Sequence, residues 1–173
     1  ITSGEDGASQ VYVKNKVRRA EEIGIKVDVR HYPKLDKEDV TLLSAAVMNP
    51  MIIQEPITGT AKHEDVANYI HPCLDADCFS YENVGMLATG HKPMYLPCTP
   101  RGIMHLLNCY DIPISGMRAC IIGRSNIVGR PLSWMMEQAG ATVTLCHSLT
   151  PEKKLYEAIA ESRIIVSAVG KPE

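Results

Sequence analysis

A tyrosine and a lysine four residues apart are the first side chains in the sequence that could act together on a small molecule. Tyr12 and Lys16 lie in a stretch, residues 9–24, whose apolar residues recur at roughly helical spacing and which ends in a glycine. Residues four apart on a helix share a face, so both side chains can project into one pocket. The spacing therefore predicts a helix that presents this pair together.

Other candidate polar groups follow a predicted strand and occupy a predicted loop. Residues 51–54 predict a strand, which Pro56 prevents from continuing because proline cannot donate to a ladder. Gln54 then stands at a strand end, where a side chain is well placed to face a ligand. The following loop carries Asp75 and Asp77, which point the same way if the backbone is extended. An ordinary solvated turn is the alternative, because aspartate is common in turns.

A glycine-bearing turn joins a predicted strand to a predicted helix at residues 123–131, whose sequence is GRSNIVGRP. Backbone N–H groups and the dipole at a helix N-terminus favour an anion, and glycine lets the backbone approach it closely. Gly123 and Gly129 are spaced as Gly-x5-Gly and not as GxGxxG. The prediction therefore depends on the strand and the helix that flank the loop. The pattern predicts a site for the pyrophosphate of a dinucleotide. A turn with only a packing role is the alternative.

The end of the next predicted strand bears on the choice of dinucleotide. An NAD site usually has an Asp or Glu there that binds the ribose hydroxyls, but this strand ends in Cys146, His147 and Ser148. Arg124 lies in the glycine loop within reach of the same ribose. An arginine and a hydroxyl donor, with no carboxylate to repel a 2′-phosphate, favour NADP over NAD.

Regular alternation of elements in the C-terminal part predicts a parallel sheet. Strands are expected at 118–122, 141–146 and 163–168, with helices at 127–138 and 151–161 between them. The order βαβαβ is that of the mononucleotide-binding half of a doubly wound sheet.

The N-terminal part predicts a separate α/β unit. Alternation at 25–29 indicates a strand, and helices are expected at 37–47 and 62–70. A linking helix at about 99–110 has Thr99 as its expected N-cap and Pro100 at its first position. We therefore expect two domains, a catalytic α/β domain at 1–97 and a Rossmann-like dinucleotide-binding domain at 98–173.

Composition excludes several classes of protein. The 173 residues carry a net charge of −2 with no basic cluster, which argues against nucleic-acid binding. No apolar run is long enough to span a bilayer. The six cysteines lack paired CxxC spacing, so we expect no metal site and free thiols in a reducing compartment. The expected location is the cytoplasm, with the mitochondrial matrix as the alternative.

Several motifs together resemble the bifunctional methylenetetrahydrofolate dehydrogenase/methenyltetrahydrofolate cyclohydrolase family. They are the glycine loop at 123–131, PCTP at 97–100 and CHSLT at 146–150. In the N-terminal part, residues 8–16 are similar to the catalytic helix of the family, IQEP at 53–56 to its VQLP strand end, and DAD at 75–77 to its DVDG loop. The resemblance extends over nearly the whole chain.

The resemblance implies roles for the N-terminal residues. Tyr12 would stack on the pterin of a tetrahydrofolate derivative, Lys16 would be the catalytic lysine tuned by Gln54, and Asp77 would anchor the pterin, with Pro56 also at the substrate. A lysine whose pKa is lowered by burial can move protons in a hydrolytic step near neutral pH. We expect these side chains to converge in a cleft between the two domains.

The resemblance also implies NADP as cofactor and a homodimer as the assembly. The implied activity is oxidation of 5,10-methylenetetrahydrofolate followed by hydrolysis of the methenyl product to 10-formyltetrahydrofolate. The expected cofactor-binding residues are those of the glycine loop and of the second strand end: Gly123, Arg124, Ser125, Ile127, Gly129, His147, Ser148 and Thr150.

Departures from the family pattern leave two alternatives open. Glu55 replaces the leucine of VQLP, Ala76 and Cys78 replace the valine and glycine of DVDG, and Leu74 replaces the lysine before that loop. The stretch between residues 40 and 54 is shorter than in the family, and segments at both ends of the family are not found, so we expect a truncated chain. The alternatives are a monofunctional dehydrogenase and a non-catalytic nucleotide-binding fragment.

Overall fold

The computed structural model describes residues 1–4, 7–46, 48–54, 56–59 and 66–170. The chain divides into two compact units, Ile1–Ser80 and Tyr81–Glu173. Both contain helices and parallel strands, so the expected α/β fold class is confirmed. The domain boundary expected between residues 97 and 98 stays a prediction.

The described part of the N-terminal unit includes two α-helices and a small parallel ladder. Helix α1 is Gly7–Glu22, α2 is Lys37–Ala46, and strands β1 (Thr2–Ser3) and β2 (His31–Tyr32) pair in parallel. A 3-10 helix, Pro72–Leu74, precedes the aspartate loop.

The predicted strand at 51–54 is reduced to isolated backbone contacts. Met51 forms a parallel bridge with Asp75, and the Gln54 N–H donates to the Ile1 carbonyl at 2.9 Å. These bonds still place residues 51–54 beside the segment that begins at residue 1 and beside the aspartate loop. The Gln54 amide and the carboxylates of Asp75 and Asp77 thereby lie on neighbouring segments.

The predicted strand at 25–29 is wrong. These residues form no regular element, and all five are exposed, including Val27 and Val29. Alternating apolar and polar residues favour a strand only if one face packs against a core, and no face does so here. The predicted helix at 62–70 falls partly on residues 62–65, which lie outside the described residues; Val66 and Ala67 are helical and buried.

The core of the N-terminal unit joins α2 to the extended segments. Its side chains are aliphatic and almost fully buried, which favours folding by about 1.5–3 kcal/mol for each large side chain. They are Leu35, Val40, Leu43, Met51, Ile53, Val66, Ile70 and Leu74. Met51 and Ile53 enter this core while Gln54, next in the chain, is only half-buried.

The C-terminal unit contains the predicted βαβαβ arrangement. After helices α3 (Tyr81–Ala88) and α4 (Cys98–Cys109) come β3 (Arg118–Ile122), α5 (Gly129–Gln138), β4 (Thr142–Cys146), α6 (Glu152–Ala160) and β5 (Ile164–Ser167). The sheet is parallel in the order β4-β3-β5. The chain passes from β3 to β4 on one side and then back across β3 to β5 on the other side. Ligands of such sheets bind beyond the carboxyl ends of the strands at this reversal.

Two helix predictions need correction. Helix α4 begins at Cys98 with Pro97 as its N-cap, so Thr99 is not the cap and Pro100 is the third helical residue. Helix α3 was not predicted; it has only eight residues, and its carboxyl end is tied to α5 by a 2.6 Å hydrogen bond from the Gln138 Nε2 to the Leu87 carbonyl. Short helices depend on such tertiary contacts, which local sequence does not reveal.

The core of this unit packs α5 against one face of the sheet. Leu132 and Met136 of α5 and Ala119 and Ile121 of β3 are essentially inaccessible to solvent. This packing holds the start of α5 directly beyond the end of β3, which fixes the position of the intervening glycine loop.

Within the described ranges, no helix has the length and apolarity needed to cross a bilayer. All six cysteines are free: Cys78, Cys120 and Cys146 are buried, and Cys73, Cys98 and Cys109 are exposed.

Candidate functional site

The structure brings together the lysine and the amide singled out from the sequence. Lys16 Nζ donates a 3.0 Å hydrogen bond to Gln54 Oε1, although the two residues are 38 positions apart. Lys16 comes from the middle of α1, and Gln54 from the end of the extended segment that follows Met51. An amide oxygen fixes the position of the amine without adding a countercharge, so the nitrogen stays available for proton transfer to a third group.

Tyr12 lies one helical turn before Lys16 and is 64% exposed. Lys16 is also exposed, so the burial that the sequence argument expected for it is not found. The exposed ring beside the amine offers a flat apolar surface on which another ring can stack. Pro56, also expected at this site, is exposed in a bend after Gln54.

The two aspartates of the loop have different environments. Asp75 is buried, and its Oδ2 accepts hydrogen bonds from the backbone N–H groups of Phe79 (2.9 Å) and Ser80 (2.8 Å). Such bonds hold the loop closed, which is a structural role for Asp75. Asp77 is only half-buried. The expected common orientation of two equivalent carboxylates therefore does not describe this loop, and Asp77 is the candidate for ligand contact.

The aspartate loop is bonded to the segment that ends at Gln54. The Ala76 N–H donates to the Met51 carbonyl at 3.1 Å, and Met51 forms a parallel bridge with Asp75. Lys16, Gln54 and the loop that carries Asp77 are thus held by contacts within the N-terminal unit.

A conformational feature that sequence reasoning missed occurs at Cys78. Its φ of 60° is in the left-handed region, which costs an L-residue about 1–2 kcal/mol. This is the position at which the DVDG motif has glycine, so the replacement noted in the sequence retains a backbone conformation suited to glycine. The side chain is fully buried.

The buried thiols should resist alkylation in the folded protein. Burial, with smaller contributions from Asp75 and Asp77, raises the pKa of Cys78 to about 12, and burial with the hydrogen bond to Cys146 raises that of Cys120 to about 11. Since the thiolate is the nucleophile, we expect iodoacetamide at pH 8 to modify Cys73, Cys98 and Cys109 first.

Peptide mass spectrometry of native and urea-unfolded samples would measure this order of modification. Rapid native labelling of Cys78 would contradict the described loop. The neutral Cys78 thiol favours the folded state below its ordinary pKa near 9, and this contribution should be lost as pH rises toward about 12.

The glycine loop of the C-terminal unit needs both of its glycines. Gly123 has a φ of 114°, and a Cβ there would come within 2.5 Å of the Ala168 carbonyl oxygen. A Cβ on Gly129 would overlap the carbonyl group of Gly123. Gly123 is thus packed against the residue that follows β5, and Gly129 against the loop itself, so neither position accepts a side chain.

Ser125 caps the start of α5 from within this loop. Its Oγ accepts hydrogen bonds from the N–H groups of Val128 (3.1 Å) and Gly129 (3.4 Å), and its carbonyl accepts that of Arg130 at 3.1 Å. The first N–H groups of the helix, which the sequence argument assigned to an anion, are thus already bound. The Ser125 hydroxyl proton is still available to donate.

Arg124 and Ser148 occupy equivalent places on adjacent strands. Ile122 and Cys146 are register partners at the ends of β3 and β4, and the Gly123 N–H donates to the Cys146 carbonyl at 2.9 Å. Both polar residues follow two positions later, and paired strands lie about 4.8 Å apart. Both are exposed, as is Ile127 of the loop. Their shared register supports one ligand group contacting both.

His147 is held in a tight turn with Thr150. The His147 N–H donates to Thr150 Oγ1 at 2.9 Å, and His147 Nδ1 accepts from the Leu149 N–H at 3.2 Å. Because a backbone N–H can only donate, Nδ1 is unprotonated in this geometry and Nε2 carries the proton of the neutral ring. These bonds shape the turn that presents Ser148.

The carboxyl ends of all three strands lack acidic residues. Among the described residues that follow them, 123–131, 147–151 and 168–170, no carboxylate occurs, while Arg124 and Arg130 are both present. Arg130 Nη1 donates to Asn126 Oδ1 at 2.9 Å, a pair that sequence reasoning did not single out although its spacing is i, i+4. This edge of the sheet is therefore suited to an anionic ligand.

Comparison with known proteins agrees with both units. Residues 97–173 match the family described as tetrahydrofolate dehydrogenase/cyclohydrolase, NAD(P)-binding domain. The bifunctional protein FolD of Ligilactobacillus salivarius is 41% identical over 179 residues, covering 100% of this chain and 62% of that protein. The bifunctional protein FolD of Polynucleobacter asymbioticus is 40% identical with the same coverage. The chain thus spans about three fifths of the curated relatives that it matches.

Solved structures give the same result. The bifunctional FolD methylenetetrahydrofolate dehydrogenase/cyclohydrolase from Campylobacter jejuni superposes with a TM-score of 0.89 at 36% identity, covering 98% of this chain and 61% of that one. The dehydrogenase-cyclohydrolase from Trypanosoma brucei, solved with NADP cofactor and inhibitor, has a TM-score of 0.90 at 30% identity and covers 99% and 60%. The chain is therefore similar over its whole length to methylenetetrahydrofolate dehydrogenase/cyclohydrolase proteins, and residues 97–173 match the NAD(P)-binding domain of that family.

Proposed function

We propose that the protein containing this chain oxidises 5,10-methylenetetrahydrofolate with NADP and hydrolyses the methenyl product to 10-formyltetrahydrofolate. The observation that carries the proposal is the 3.0 Å hydrogen bond between Lys16 Nζ and Gln54 Oε1. A packing role alone does not require an exposed amine to be held by a half-buried amide from a distant segment. A group that transfers a proton in a hydrolytic step must be held in one place, and this hydrogen bond does so for the amine.

In the hydrolytic step, water adds to the methenyl carbon and loses both of its protons; one leaves the site, and the other ends on N5 as the bond between N5 and that carbon breaks. Lys16 is the group that takes up or relays the proton, and Gln54 positions its nitrogen. Tyr12, one turn away on α1, stacks on the pterin, while Asp77 accepts hydrogen bonds from the N–H groups of the pterin ring. Asp75 is not assigned this role, because it is buried and its Oδ2 binds the loop backbone.

For the oxidative step NADP would supply the hydride acceptor for the methylene carbon, and the protein would supply its positioning. We assign the adenosine 2′-phosphate to Arg124 and Ser148, and the pyrophosphate to the loop from Gly123 to Gly129, with the Ser125 hydroxyl as a donor. Ile127 contacts the cofactor through its exposed side chain. His147 and Thr150 hold the turn that carries Ser148. The homodimer implied by the family resemblance stays a prediction.

The test is a pair of assays on the full protein with 5,10-methylenetetrahydrofolate. NADPH formation measures the dehydrogenase, and decay of the absorbance of added methenyltetrahydrofolate measures the cyclohydrolase. We expect both activities with NADP. Dehydrogenase turnover with no hydrolysis above the uncatalysed rate would support the monofunctional alternative, and binding of neither cofactor nor folate would refute the proposal.

A further inference from the structure

A second arginine, Arg130, lies at the glycine loop beside the residues that we assign to the cofactor. Arg130 is the second residue of α5, and its Nη1 donates to Asn126 Oδ1 at 2.9 Å. Helical side chains lean toward the N-terminus of their helix. The hydrogen bond to Asn126 accordingly holds the guanidinium over the turn at 126–128, on the side of the loop and not along the helix.

The charge of Arg130 is unfavourably placed for the protein alone. A cation in the first turn of a helix faces the positive end of the helix dipole. Its hydrogen-bond partner Asn126 is neutral, and within the described part of the chain no carboxylate forms an ion pair with Arg130. A bound anion at the loop would remove this repulsion.

The hydrogen bonds to Ser125 leave the first N–H groups of α5 unavailable to a phosphate, so a positively charged side chain can serve in their place. In many dinucleotide sites the first helical N–H groups meet the pyrophosphate. Here the N–H groups of Val128, Gly129 and Arg130 are bound to Ser125. A charged donor held beside the loop is the available substitute for them, and a guanidinium suits it because it can bind two phosphate oxygens at once.

We propose that Arg130, positioned by Asn126, binds the cofactor pyrophosphate and contributes equally to the affinities for NADP and NAD. The inference rests on the proposed function and deepens it by separating two arginines. Arg124 follows a strand end beside Ser148 and senses the 2′-phosphate, whereas Arg130 meets the phosphates that both dinucleotides share.

Calorimetric titration of the full protein with NADP, NAD and inorganic pyrophosphate tests this division. Arg130→Gln removes the charge and keeps a polar side chain. We expect it to weaken the affinity for each of the three ligands by about tenfold. Arg130→Lys keeps a charge without the planar fork and should recover only part of the loss. Arg163→Gln is the matched control, because Arg163 is an exposed arginine just before β5, at the opposite end of the same sheet.

Thermal unfolding without ligand separates binding from a structural role. Arg130→Gln should melt no lower than the parent, because it removes a cation from the positive end of the helix. Unchanged affinities, or a loss for NADP with NAD unaffected, would overturn the assignment of Arg130. A parent protein that binds neither dinucleotide would instead refute the proposed function.

Discussion

Replacing Lys16 by methionine should abolish the cyclohydrolase activity and leave NADP affinity unchanged. Methionine has a similar length but cannot carry a proton, and removal of a proton-transfer group typically costs about 10² to 10⁴ in rate. Lys16 belongs to the N-terminal unit, whereas the glycine loop belongs to the C-terminal unit. The measurement is the decay of methenyltetrahydrofolate by the full protein, with NADP affinity determined in parallel.

Lys14 provides a matched control on the same helix. It is exposed like Lys16 but lies on another face of α1, so Lys14→Met should retain hydrolysis. Lys16→Arg should not restore activity, since a guanidinium stays protonated and cannot act as a base. Normal hydrolysis by Lys16→Met would show that another group transfers the proton.

Replacing Arg124 by alanine should weaken the affinity for NADP by roughly ten- to hundredfold, because hydrogen bonds to charged groups contribute about 1.5–3 kcal/mol. NAD lacks the 2′-phosphate and should bind as before, which makes it the internal control. Within the described residues the Arg124 guanidinium has no hydrogen-bond or ion-pair partner, so its loss should not unfold the loop. Dissociation constants of both cofactors measure the effect.

Ser148→Ala tests the second half of the same subsite. It removes one neutral donor, so we expect a smaller loss of NADP affinity, by about five- to tenfold, and no change for NAD. Equal losses of affinity for NADP and NAD in Arg124→Ala would show that Arg124 contacts the pyrophosphate and not the 2′-phosphate. A parent protein that prefers NAD would contradict the assignment of a 2′-phosphate site.

Much of the C-terminal unit could be predicted because its signals are local. The strands at 118–122, 142–146 and 164–167 are short apolar runs between helices of clear 3.6-residue period, and the structure places them within one residue of the prediction. The glycine loop was recognisable because a strand, a glycine turn and a helix follow one another directly. The relation between Arg124 and Ser148 also follows from sequence, since each stands two residues beyond the end of a parallel strand.

The sequence alone therefore determined the fold class, the glycine loop and the types of side chain available to a folate and a dinucleotide. Only the tertiary structure decided that Lys16 meets Gln54, that the buried Asp75 binds the loop backbone, and that Ser125 accepts hydrogen bonds from the first N–H groups of α5. It also decided that residues 25–29 do not form a strand and that the backbone of Cys78 is in the left-handed region. The physical reason is the same in each case: these outcomes depend on contacts and burial, which are set by how separate segments pack, whereas composition and periodicity act only over one or two turns of chain.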